Sequence, residues 1–117
     1  MTKLTTIAVD QLQSMQGTKL GISPWVQLSQ LMVNQFADIT NDHQFIHIDS
    51  KRASAETPFG GTIAHGFLTL SQLTQMAEST LPVITGVRMS INYGFDRIRF
   101  ITPVRSDARV RAHFTLE

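Results

Sequence analysis

Asp42 and His47 stand in a run dense in polar groups, FADITNDHQFIHID. A carboxylate beside an imidazole can position a water and accept its proton. A histidine titrates near neutrality, so it can also return that proton. The pair comes after a helical pattern, in the kind of loop position where reactive groups tend to sit. The plainer reading makes Asp42 a turn residue and His47 a strand histidine with a structural hydrogen bond; the pair alone favours it. His43 and His47 lie four apart, with Asp42 and Asp49 flanking them, which on a helix would suggest a metal site. Residues 44–46 and Ile48 give no clean helical face, and the glutamate of the zinc-peptidase motif is missing. Metal binding therefore ranks below a structural or acid–base role, and no metal residue is assigned.

A second candidate is Gly60-Gly61-Thr62-Ile63-Ala64-His65-Gly66, which leads directly into an apolar segment. Exposed amides at a helix start can stabilise a developing negative charge. Gly66 has no side chain to keep a ligand from its own N–H. Its plainer reading is a glycine-rich helix entry with no ligand. It is not a phosphate-binding Walker loop, because no Lys-Ser/Thr comes next. Ser71 and Ser79 lack the glycine-flanked elbow of a serine nucleophile and read as polar positions on an apolar helix. Arg97, Arg99, Arg105, Arg109 and Arg111 read mostly as solvated strand faces, a minority of which could contact the phosphates of a nucleotide-bearing substrate.

These groups need a scaffold. Leu28, Leu31, Met32, Val33, Phe36 and Ile39 recur at helical spacing and predict a helix over 29–39. Ser29 is its expected N-cap, with Leu28 and Val33 as a hydrophobic staple. Thr40, Asn41 and Asp42 should stop it. Asp49 or Ser50 can cap a short helix over 51–55, and 57–61 must be a loop. Residues 66–79 predict a long buried helix, since Phe67, Leu68, Leu70, Leu73, Met76 and Ala77 leave only a narrow polar face. Val87, Met89, Ile91, Tyr93 and Phe95 alternate at period two, then the phase changes to Ile98 and Phe100. A strand over 86–101 with a bulge near 94–97 is expected. Val110, Ala112, Phe114 and Leu116 predict a final strand. Residues 1–28 read as short extended pieces and turns, with Trp25 packed on the segment after it.

The 117 residues suit one domain spanning 1–117. Helices followed by strands indicate an α+β class. Only two long strands are visible, fewer than an independent sheet usually needs, and Leu116-Glu117 end in mid-strand. Either the N-terminal pieces join the sheet, or a partner chain completes it, or the sheet lacks its last strands at the C-terminus, which the mid-strand ending favours. A net charge of +1 gives no reason to expect nucleic acid or an anionic membrane as partner. No cysteine is present, which excludes disulfides, thiolate catalysis and zinc–sulfur sites. No apolar run approaches a membrane span, and the N-terminus lacks a signal peptide's apolar core. A cytoplasmic location is expected.

Taken in order, FADITNDHQFIHID, TPFGGTIAHGFLTLSQL and INYGFDRIRFITPV resemble the MaoC-like dehydratase family. The resemblance covers about residues 20–117 and is nearest the branch of nodulation-protein-N-like proteins and (R)-specific enoyl-CoA hydratases. It implies a hot-dog fold, an antiparallel curved sheet wrapped around a long central helix that begins at Gly66. It implies Asp42 and His47 as the catalytic acid–base pair and Gly66 as the amide that meets the thioester oxygen. Gln44, Ile63, Ala64, His65 and Phe67 are then expected to line the substrate. Many relatives carry Asn-Pro where this chain has Gln44-Phe45, and glutamine reaches one methylene further. The implied reaction is reversible hydration of a trans-2-enoyl thioester to a (R)-3-hydroxyacyl thioester, on coenzyme A or a carrier protein, with no cofactor. A homodimer is also implied. The alternatives are a hot-dog acyl-CoA thioesterase and a non-catalytic acyl-thioester-binding module.

Overall fold

The computed structural model describes residues 4–117. Two compact units divide the chain. One comprises Met1–Pro24, Thr74–Ile98 and Arg111–Glu117, the other Trp25–Leu73 and Arg99–Val110.

The second unit carries Asp42, His47 and Gly66. It opens with β3 (Val26–Gln27), which pairs antiparallel with β5 (Arg109–Val110). Helix α2 (Gln30–Thr40) comes next, and Ser29 caps it as expected, its hydroxyl accepting from the Met32 amide at 3.2 Å. The staple residues Leu28 and Val33 are both completely buried. They form a core with Ala64 and Leu68, flanked by Val26, Met32, Phe36, Val104 and Val110. Burying each of those two side chains is worth roughly 1.5–3 kcal/mol. Asn41 ends α2 in the left-handed conformation, φ 59°, which asparagine tolerates better than most residues. That cap turns the chain sharply and delivers Asp42 immediately after the helix.

Residues 45–48 form one helical turn, α3 (Phe45–Ile48), where the sequence suggested a loop or strand. Its apolar positions are too few for a periodic signal. Asp49 caps α4 (Ser50–Glu56), its carboxylate accepting from the Arg52 amide at 3.0 Å. The loop after α4 is held by Arg105, which donates to the Phe59 carbonyl at 2.9 Å. Gly60 sits there at φ 77°, which favours glycine. Trp25 is half exposed, with the Arg109 guanidinium 5.4 Å from its ring.

The helix expected over 66–79 is two segments, α5 (Gly66–Ser71) and α6 (Leu73–Glu78), interrupted at Gln72. Leu68 and Met76 are buried, but Phe67 is exposed.

In the first unit β1 (Thr6–Ile7) runs parallel to β4 (Val83–Ile84). Helix α1 (Val9–Ser14) was not evident from the sequence pattern. Strand β2 (Lys19–Ile22) pairs antiparallel with β6 (His113–Thr115), with an irregularity between Lys19 and Gly21. A side chain at Gly21 would stand 2.7 Å from the Thr80 methyl group, so the close approach needs glycine.

Residues 87–104 join no ladder among the described residues, so no strand over 86–101 forms and no bulge has a partner to be measured against. Met89, Ile91 and Tyr93 are exposed. Alternation of apolar residues specifies the faces of a strand, whereas a ladder also needs a second backbone at the right spacing. The expected last strand is split between β5 and β6. No helix among the described residues is long and apolar enough to cross a membrane.

Candidate active site

Three side chains converge in the second unit. Asp42 comes from the end of α2, His47 from α3, and His65 from the residue that caps α5. One Asp42 carboxylate oxygen, Oδ2, lies 3.9 Å from His47 Nε2 and 4.0 Å from His65 Nε2. The other, Oδ1, accepts from the Gln44 amide at 3.3 Å, a short turn that fixes the carboxylate after the helix end. Asp42 remains half exposed, while both imidazoles are buried.

His47 is held by its other ring nitrogen. Nδ1 donates to the Ile63 carbonyl at 2.7 Å, which fixes the hydrogen there and leaves Nε2 as the free lone pair of the neutral ring. Burial is the main influence on its pKa and pushes it below the usual histidine value. The Ile63 hydrogen bond opposes this, the His65 ring lowers it further, and the Asp42 carboxylate raises it. The backbone of α3 is held by Gln30, whose Nε2 donates to the His47 carbonyl at 2.8 Å. Gln30 Oε1 in turn accepts from the buried Thr62 hydroxyl at 2.6 Å. That hydroxyl has one hydrogen, so at its 3.0 Å contact with Ser106 it is Ser106 that donates.

The loop entering α5 is pinned on both sides. The Ile63 amide donates to the Ile46 carbonyl at 2.9 Å, and the Ala64 amide to the Val104 carbonyl at 2.7 Å. His65 then caps the helix through its backbone. Gly66 is the first helical residue, so its N–H has no partner within the helix. A Cβ on Gly66 would stand 3.0 Å from the Phe100 ring. Phe67 is exposed and meets Phe100 edge-on at 5.7 Å. An open apolar groove lies on the same unit, lined by Met32, Gln35, Phe36, Ile39 and Leu68.

Not every candidate joins this cluster. His43 pairs with exposed Asp38 at 2.8 Å, so it does not act with His47 as a pair of metal-binding imidazoles. Gln44 is exposed, whereas the side chains of Ile63 and Ala64 are buried in the protein's own packing. What the sequence reading undervalued was the part played by Ile63 and Ala64 through their backbones, and the role of Gln30, a lone polar residue whose type and spacing carry no signal. Asp42, His47 and His65 each offer a nitrogen or oxygen within 4.8 Å of the others. A cation or a water could sit at that spacing, but His65 Nε2 already faces the Asp42 carbonyl at 3.1 Å. Of the three atoms that face one another there, Asp42 Oδ2 and His47 Nε2 are then unengaged, which suits a water better than a metal.

Comparison with known proteins adds to this geometry. The family described as "MaoC like domain" matches residues 11–117. Nodulation protein N of Rhizobium meliloti is 54% identical over 110 residues, covering 94% of this chain and 68% of that protein. A protein named 3-hydroxyacyl-thioester dehydratase Z, of Mycobacterium tuberculosis, is 47% identical over 109 residues, covering 93% and 71%. Among solved structures, the unliganded R-hydratase PhaJ1 from Pseudomonas aeruginosa superposes with a TM-score of 0.66 at 24% identity, covering 87% of this chain and 61% of that one. This likeness shows the fold, the α+β hot-dog class. The chain spans about two-thirds of the length of these proteins.

Proposed function

Since the chain belongs to the MaoC-like domain family, we propose that its site adds water reversibly to a trans-2-enoyl thioester, giving a (R)-3-hydroxyacyl thioester. The observation that carries this reading is the 3.9 Å gap between Asp42 Oδ2 and the free Nε2 of His47. The gap is too long for a direct hydrogen bond and suits one bridging water. That water attacks C3 of the enoyl group. His47 Nε2, with Asp42 orienting the water, takes its proton, and a proton is delivered to C2. Negative charge that builds on the thioester oxygen is met by the Gly66 N–H, which has no partner within the helix. In the dehydration direction the same groups run in reverse.

Gln44, exposed beside the Asp42 turn, and Phe67, exposed beside Gly66, are the proposed substrate contacts, with Ile63, Ala64 and His65 forming the wall behind them. The apolar groove along α2 offers a surface for the acyl chain. The relatives whose names specify a dehydratase support this reaction type. The proposal extends to an acyl-CoA or carrier-protein substrate, a cytoplasmic location and a homodimer. The exposed apolar side chains between 87 and 101 give the dimer its support. Residues 1–117 are proposed as a single MaoC-like domain, supported by the family match over 11–117.

The test is hydration of crotonyl-CoA by the parent chain and by Asp42→Asn and His47→Ala. Loss of enoyl absorbance without thiol release is expected for the parent, with each variant slowed at least about a hundredfold. Thiol release instead would identify a thioesterase. Parent-level hydration by both variants would remove Asp42 and His47 from the chemistry.

A further inference from the structure

Building on that reading, we propose that His65 is a positioning residue, which clamps the main chain of Asp42 and the ring of His47 to the residue that carries the thioester-facing amide. Its Nε2 donates to the Asp42 carbonyl at 3.1 Å. Its ring lies nearly parallel to that of His47, with centroids 3.8 Å apart and planes 21° from each other. Phe36 tilts against it at 5.0 Å. The backbone of His65 cannot drift, because its carbonyl accepts from the Leu68 and Thr69 amides. Gly66 is its chain neighbour. One imidazole therefore ties together the end of α2, the helical turn of α3 and the start of α5.

The chemistry of the ring argues against a merely packed side chain. His65 is only 4% exposed, and its Nδ1 is buried with no hydrogen-bond partner. Burying a polar nitrogen without a partner is costly, and a phenylalanine would fill a similar space without that cost. What only the histidine supplies is the Nε2–H for the Asp42 carbonyl. Stacked against His47, it also shares in keeping that ring desolvated. The titratable groups facing His47 are the Asp42 carboxylate and the His65 ring; His43 is occupied by Asp38. His65 is among the groups that hold His47 below its ordinary value, after burial itself.

The experiment compares His65→Phe and His65→Gln in the whole chain, by crotonyl-CoA kinetics and by nuclear magnetic resonance of the His47 ring nitrogens. His65→Phe keeps a ring against His47 but cannot donate to Asp42. It should lower kcat about tenfold, the rate equivalent of one lost hydrogen bond. Its KM should stay within about twofold, because bound-state alignment rather than binding is lost. His65→Gln restores a donor but not the ring. It should recover part of kcat. Both variants remove the imidazole whose charge opposes that of His47, so the titration midpoint of His47 should rise in both, and further in His65→Gln, which also loses the ring that shields it. Parent kcat in both variants, or a His47 midpoint in His65→Gln equal to the parent's, overturns the proposal. The resonance readout needs no turnover. A parent without hydratase activity would therefore remove the functional reading, and the midpoints would still decide the clamp. Should either variant fail to fold, the other decides on the same criteria.

Discussion

Replacing Gln30 by leucine tests whether the site is held from behind as the hydrogen bonds indicate. The leucine occupies similar space and removes three polar contacts. The bond to Asn34 Oδ1, at 2.9 Å, is exposed and worth little. The other two matter: Nε2 to the His47 carbonyl at 2.8 Å and Oε1 from the buried Thr62 hydroxyl at 2.6 Å. Each contributes a net of roughly 1 kcal/mol. The Thr62 hydroxyl keeps Ser106 as a partner, whereas the His47 carbonyl loses its Gln30 donor, which adds to the cost. The expected loss is thus at least about 2 kcal/mol, a factor of about 30 or more in the folding equilibrium. Urea denaturation followed by circular dichroism would read it as a lower midpoint with an unchanged slope. Because α3 carries His47, kcat should fall as well. A change below about 0.5 kcal/mol with parent kcat would refute the idea that Gln30 holds α3, since surface substitutions ordinarily fall within that range.

The same geometry gives two further expected outcomes. Folding prefers a neutral His47, because burial holds its pKa below the usual histidine value. The unfolded chain therefore takes up this proton first as pH falls. Stability should be full above about pH 6.5 and decline from there until His47's own lower value is passed. Urea midpoints measured from about pH 7.5 to about pH 5 should fall less steeply for His47→Gln than for the parent; equal slopes would contradict it. Gly66→Ala gains roughly 1 kcal/mol of helix propensity but sets a Cβ 3.0 Å from the half-exposed Phe100 ring, which can yield. Stability should change by less than about 1.5 kcal/mol while hydration falls at least about tenfold. Adding Phe100→Ala should relieve the crowding without restoring the rate.

Local features were legible where neighbouring residues settle them. Ser29 as a cap, Leu28 and Val33 as a buried staple, Asp49 as a cap and the loop at 57–61 are all decided within a few residues. The proposed site residues Asp42, His47 and Gly66 were picked out by their order along the chain, which is what the resemblance read. The strand expected over 86–101 was not settled by its pattern, because pairing depends on a backbone far away in sequence. The break at Gln72 was also invisible, since helical periodicity runs on through it.

By itself the sequence determined which chemical groups are available, the family they belong to, and where α2 and α4 begin, because a cap acts within a turn. Tertiary structure alone decided that His65 lies against His47, that the Ile63 carbonyl selects the ring nitrogen left free, and that Gln30 holds α3 from behind. Those contacts join residues 16 to 18 positions apart across separate elements. No short-range rule fixes such distances; they depend on how the elements pack around Leu28 and Val33.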